Sequence, residues 1–66
     1  MESDVYKGYL IYGHSINEGE VFAASGTVMK DGHLVATTGV LDFFDTDKEA
    51  SDAGIAWARD WIDKHE

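Results

Sequence analysis

The feature that most constrains this chain is the four-residue stretch Lys30-Asp31-Gly32-His33. An Asp-Gly pair between two β-prone runs marks a two-residue hairpin loop, because a type I′ turn needs φ > 0 at both central positions. Placing Lys30 opposite His33 sets the register by counting outward. Val28 then faces Val35, Gly26 faces Thr37, Ala24 faces Gly39 and Phe22 faces Leu41. Side chains alternate along a strand, so these pairs share one face of the sheet, and Phe43 extends it. That face, with Phe22, Val28, Val35, Leu41 and Phe43, is the expected core. The other face receives Met29 with Leu34, Thr27 with Ala36, Ser25 with Thr38, and Ala23 with Val40. Its small and polar composition suits a sheet with one open side.

The aromatic and branched run Tyr6–Gly13 predicts a strand before this hairpin. Its phase is open: Tyr9 and Ile11 point inward, or Leu10 and Tyr12 do. His14–Gly19 reads as a polar loop, and residues 1–4 read as a frayed end. Towards the C-terminus, Thr46 followed by Glu49 forms a capping box at a helix start, with Asp45 and Asp47 near the positive end of its dipole. Ala50, Gly54, Trp57, Ala58, Trp61 and Ile62 then fall on one side at 100° per residue. Lys64 and His65 close the helix at the end that favours cations. Two indoles beside small helix residues, facing glycines between bulky strand residues, predict layers that interlock. The core is therefore expected to include Trp57, Trp61 and Ile62.

Size and charge narrow the function classes. Sixty-six residues allow one domain. There is no cysteine, hence no disulfide or thiolate chemistry. The first residues lack a basic stretch followed by an apolar one, and no apolar run reaches the ~18 residues that span a bilayer. With 13 acidic and 5 basic side chains the net charge is −8. Such a field repels phosphate backbones and anionic membrane surfaces and tolerates a basic partner.

No chemical constellation stands out. His14, His33 and His65 lack the clustered partners of a zinc site. The acidic run Asp42, Asp45, Asp47 and Glu49 fails the calcium-loop pattern, because Asp47 stands where glycine is needed and Ala53 where glutamate is. Ser15 beside His14 has no strand-turn-helix elbow to present it as a nucleophile. The seven glycines form no phosphate-cradling loop. Tyr6, Tyr9 and Tyr12 lack the basic groove that accompanies a base-stacking platform.

Phe43, Thr46, an acidic helix start, Ala50, Ala53-Gly54-Ile55, Ala58 and Trp61-Ile62-Asp63 resemble the end of short uncharacterised proteobacterial proteins of the kind found in Burkholderia-like bacteria. The resemblance covers mainly residues 43–66. It implies a small antiparallel sheet followed by a Trp-Ile-Asp helix in a bacterial cytoplasm, and it carries no assigned activity and no site residues. The β-β-β-α order also resembles the later part of double-stranded RNA-binding domains, without their first helix or basic helix end.

The expectation is one α+β domain over residues 1–66. It comprises a three-stranded antiparallel meander at about 5–13, 20–30 and 33–44, with a helix at about 47–64 on one face. It is expected to be non-catalytic and cytoplasmic, with no metal or cofactor and no direct contact with nucleic acid or membrane. Val21, Met29, Leu34 and Val40 on the spare face, together with open strand edges, point to a protein partner or a homodimer. The alternative is an acidic decoy that occupies a basic nucleic-acid-binding protein.

Overall fold

The computed structural model describes all residues, 1–66. Strands β1 (Glu2–Tyr6), β2 (Tyr9–Asn17), β3 (Phe22–Lys30) and β4 (His33–Thr37) form an antiparallel sheet in sequence order. A two-residue strand β5 (Phe43–Phe44) continues the β4 side of β3, and helix α1 (Asp47–His65) lies across one face. The α+β class and the β-then-α order are as expected, but the meander has more strands than three.

The extra strand comes from a turn that the composition hides. The expected first strand is itself a hairpin, reversed at Lys7-Gly8, whose φ values of 50° and 84° match the 52° and 78° of Asp31-Gly32. Positive φ at both positions is the mark of a I′ turn, and only the glycine is suited to it without cost. Residues 2–6 are consequently a paired strand and not a frayed end: Glu2 faces Gly13 and Tyr6 faces Tyr9. β2 likewise runs on through His14 to Asn17, where a loop was expected. The chain reverses after Asn17, whose side chain accepts the Gly19 amide.

The β3–β4 hairpin begins in the expected register, Lys30 against His33 and Met29 against Leu34. It then slips. Ala36, not Val35, lies opposite Val28, so Val35 is the extra residue of a β-bulge. A slip of one residue transfers every later side chain to the other face. Val35, Leu41 and Phe43 are therefore not core: they are 40%, 36% and 54% exposed. Phe44 takes the place beside Phe22 that Leu41 was expected to fill, and Phe22 is half-buried there.

The helix is capped as the sequence implies. Thr46 sits in extended backbone (φ −126°, ψ 153°), and its Oγ1 accepts the Glu49 amide at 3.1 Å. The reciprocal arm differs from a standard capping box, because the Glu49 carboxylate accepts from the Thr46 hydroxyl at 3.0 Å. The buried stripe of α1 is Ala50, Ser51, Gly54, Ile55, Ala58 and Ile62. This is rotated from the expected face, and Trp57 and Trp61 flank the core half-buried instead of filling it. Ile11, Val28, Ile55, Ala58 and Ile62 form the centre, which settles the phase of the first run in favour of Tyr9 and Ile11 inward. Each Ile or Val buried this way contributes ~1.5–3 kcal/mol.

The stripe rotates because backbone meets backbone. A Cβ on Gly13 would land on the Ser51 carbonyl oxygen, and one on Gly54 would overlap the Ser25 carbonyl and come within 2.7 Å of Gly13 Cα. A Cβ on Gly26 would meet the Gly54 carbonyl at 2.7 Å and Trp57 Cε3 at 2.8 Å. The expected indole-over-glycine contact thus exists at Gly26, within a larger glycine seam that seats α1 directly on β2 and β3. Gly39 faces open space and takes no part in it.

Candidate functional site

With α1 on one face, the opposite face of the sheet is left uncovered, and the strand register fixes what it presents. Val5, Leu10, Met29 and Leu34 lie side by side across four strands. Val5 and Leu34 are 68% and 61% exposed. The next row is Ser3, Tyr12, Thr27 and Thr37, then His14 beside Ser25, then Ile16, Ala23 and Phe43. The pattern is apolar, polar, apolar along the strands. None of these positions is Asp, Glu, Lys or Arg, in a chain of net charge −8.

The polar strip in the middle is ordered by hydrogen bonds that cross three strands. His14 Nε2 lies 2.9 Å from Thr27 Oγ1, Thr27 Oγ1 lies 3.3 Å from Thr37 Oγ1, and Thr37 donates to the Gly26 carbonyl at 3.2 Å. A carbonyl only accepts, and each hydroxyl has one proton. Thr37 therefore accepts from Thr27, and Thr27 accepts from His14. The imidazole therefore donates from Nε2, and in its neutral form Nδ1 is left as an acceptor. Its ring stacks on Tyr12 at 6.1 Å between centroids and 16° between planes. Beside the apolar row, a shallow hollow of about 270 Å³ is bordered by Val5, Tyr9, Leu10, Met29 and Lys30.

Both edges of the sheet are obstructed. On the free edge of β1, the Val5 amide donates to the carboxylate of Asp4 at 2.8 Å. The other Asp4 oxygen accepts from Arg59 at 2.7 Å, so the carboxylate is tied to the helix. The opposite edge consists of short pieces, β4 and β5, interrupted by the Val35 bulge and by residues 38–42. Side-chain caps, bulges and short strands are how sheets avoid adding a further strand.

Four of the five cations pair with carboxylates of α1 or β1. Lys7 pairs with Asp63 at 2.7 Å, Lys48 with Asp52 at 2.8 Å and Lys64 with Asp60 at 2.9 Å. Tyr6 donates to Asp63 and Tyr9 to Glu66, so these two tyrosines face the helix while Tyr12 faces away. The three tyrosines do not form one platform. Lys7 and Tyr6 hold the Asp63 carboxyl below its usual range, and Arg59 with the Val5 amide does the same for Asp4. Accepting carboxylates push the Tyr6 and Tyr9 hydroxyls up. A second cleft of about 400 Å³, lined by Glu2, Asp4, Asp52, Ile55 and Arg59, lies between β1 and α1. Glu2 is raised there mainly by its hydrogen bond to Asp52, and Asp52 is lowered mainly by the same bond.

Of the expected interface residues, Met29 and Leu34 are paired neighbours on the open face. Val21 is half-buried just before β3, and Val40 lies exposed in the irregular stretch after β4, outside the row. Sequence reasoning missed Val5, Leu10, Tyr12, His14 and Ile16. Alternation in the first run was the signal for Leu10 and Tyr12, once its phase was known, while Val5, His14 and Ile16 lie outside that run. His14 and Ser15 are consecutive on β2 and point to opposite faces, so they cannot act as a pair. The Ser15 and Ser51 hydroxyls are buried without hydrogen-bond partners. No group of three His, Asp or Glu side chains converges closely enough to hold a metal ion, and no helix is long and apolar enough to cross a membrane.

No curated protein and no solved structure matches this chain. The sequence profile of one family, described as a domain of unknown function (DUF6566), matches residues 1–66, and the chain belongs to that family.

Proposed function

We propose that this protein is a small non-catalytic interaction module that acts in the cytoplasm through the uncovered face of its sheet. The observation that carries this reading is the uncharged outer face with Val5, Leu10, Met29 and Leu34 aligned across four strands. An apolar surface without charge, on a chain that carries 18 charged side chains elsewhere, is costly to leave in water. Contact through this face fits better than strand addition, because both edges are obstructed. The acidic-decoy reading is weaker. It rests on the net charge of −8 alone: Asp4, Asp52, Asp60 and Asp63 are each paired with a cation, and the remaining carboxylates, Asp42, Asp45 and Asp47 among them, carry it.

The test is site-specific photo-crosslinking in cells. A benzophenone amino acid replacing Leu34 is expected to give protein adducts, while one replacing Asp60 on the outward side of α1 gives none. Equal yields from both positions, or silence from Leu34, would overturn the reading.

A further inference from the structure

We infer that the occupant of the open face is a second copy of this chain, packed sheet to sheet about a two-fold axis that crosses β2 between Tyr12 and His14; this rests on the interaction reading above. Three observations fit a copy seated on this face. The first is electrostatic. A chain of net charge −8 repels its own kind from every charged side, and the outward strand positions are the broad surface where that repulsion is least.

The second is self-complementarity. In a two-fold interface, residue i of one copy meets j of the other and j meets i. Tyr12 supplies a hydroxyl donor, and His14, whose Nε2 is used toward Thr27, offers Nδ1 as an acceptor in its neutral form, two residues along the same strand. An axis midway between them sets each donor toward the partner's acceptor. The same operation lays the Leu10–Met29 end of one copy on the partner's Ile16–Phe43 end, so that the apolar flanks on either side of the polar strip cover each other. Sheets that pack this way lie ~10 Å apart with strands crossing at ~30°.

The third is size. The Cα positions span 36 × 21 × 16 Å. The broad face therefore offers roughly 600 Å² per copy, at the lower limit for a specific interface, which sets the expectation of a reversible dimer of modest affinity.

Sedimentation equilibrium on the full chain, over a concentration series reaching millimolar, tests this. A species of twice 7.3 kDa is expected. Its association should strengthen when salt is raised to about 0.5 M, because screening removes repulsion between like-charged copies. Leu10→Glu should weaken association by at least ~10-fold, since it places two like charges in the interface, and Tyr12→Phe should weaken it by a few-fold. Unchanged thermal melting of each variant at dilute concentration shows that the fold is intact. A single 7.3 kDa species at the highest concentration in high salt overturns the second copy. If Leu34 then crosslinks to a different protein, only the identity of the partner has failed. A dimer that survives Leu10→Glu, in a variant that melts normally, overturns the face itself and the proposed function with it.

Discussion

The two faces of the sheet reach opposite solutions with overlapping residue types. The inner face gives up side chains: Gly13 and Gly26 sit where α1 crosses, and the helix answers with Gly54. The outer face keeps large apolar groups, Val5, Leu10, Met29 and Leu34, and has nothing in this chain to cover them. Burial here follows closeness of approach: backbone contact excludes water more completely than bulky residues that hold the layers apart.

That contrast breaks first at the glycine seam. Gly13→Val should destabilise by about 3 kcal/mol or more, because the clash is with helix backbone that has nowhere to move. Gly39→Ala, which faces open space, should leave the unfolding free energy read from urea curves within about 0.5 kcal/mol of the parent. Equal effects of the two would show that α1 is not seated on Gly13. Next come the fillers. Ile11→Ala or Ile62→Ala should cost about 2–4 kcal/mol, whereas Val35→Ala, moved outward by the bulge, should cost under about 1 kcal/mol. A large loss at Val35 would restore the unbulged register. Thr46→Ala should remove about 1 kcal/mol by freeing the Glu49 amide, read from the same denaturation curves. Ser51→Ala should hold the melting temperature or raise it, because the hydroxyl is buried without a partner.

The smallest effect concerns pH at the join between β1 and α1. The carboxyls of Asp4 and Asp63 titrate below their ordinary range in the folded chain, held there mainly by Arg59 and Lys7 respectively. Their contribution is complete above the unfolded value and is lost as pH falls through the lowered folded one. Glu2 has the opposite sign: raised mainly by its hydrogen bond to Asp52, it favours folding at low pH and ceases to do so as pH rises through its folded value. At neutral pH, Glu2→Gln should therefore raise the melting temperature slightly, and Asp4→Asn should lower it slightly. The Asp4→Asn difference should vanish in acid. These groups are exposed, so salt should reduce both effects.

Much of this molecule was legible before any coordinates. Asp31-Gly32 dictated a hairpin, Thr46 with Glu49 dictated a helix start, and the period after Ala50 dictated an amphipathic helix, because each depends on neighbours within a few residues. Lys7-Gly8 is a weaker version of the same turn signal, because lysine seldom occupies positive φ. The open face was readable at Met29 and Leu34 but not at Leu10, Tyr12 and His14, since the first run alternates acceptably in either phase. The chain by itself determined its helix, the Asp31-Gly32 hairpin and its net charge of −8. Only tertiary structure decided the Val35 bulge, the rotation of α1 away from its tryptophans and which residues of β1 and β2 join the uncovered face. Each of those is fixed by contacts between residues distant in sequence, where a carbonyl oxygen on the helix and a missing Cβ on a strand compete for the same space.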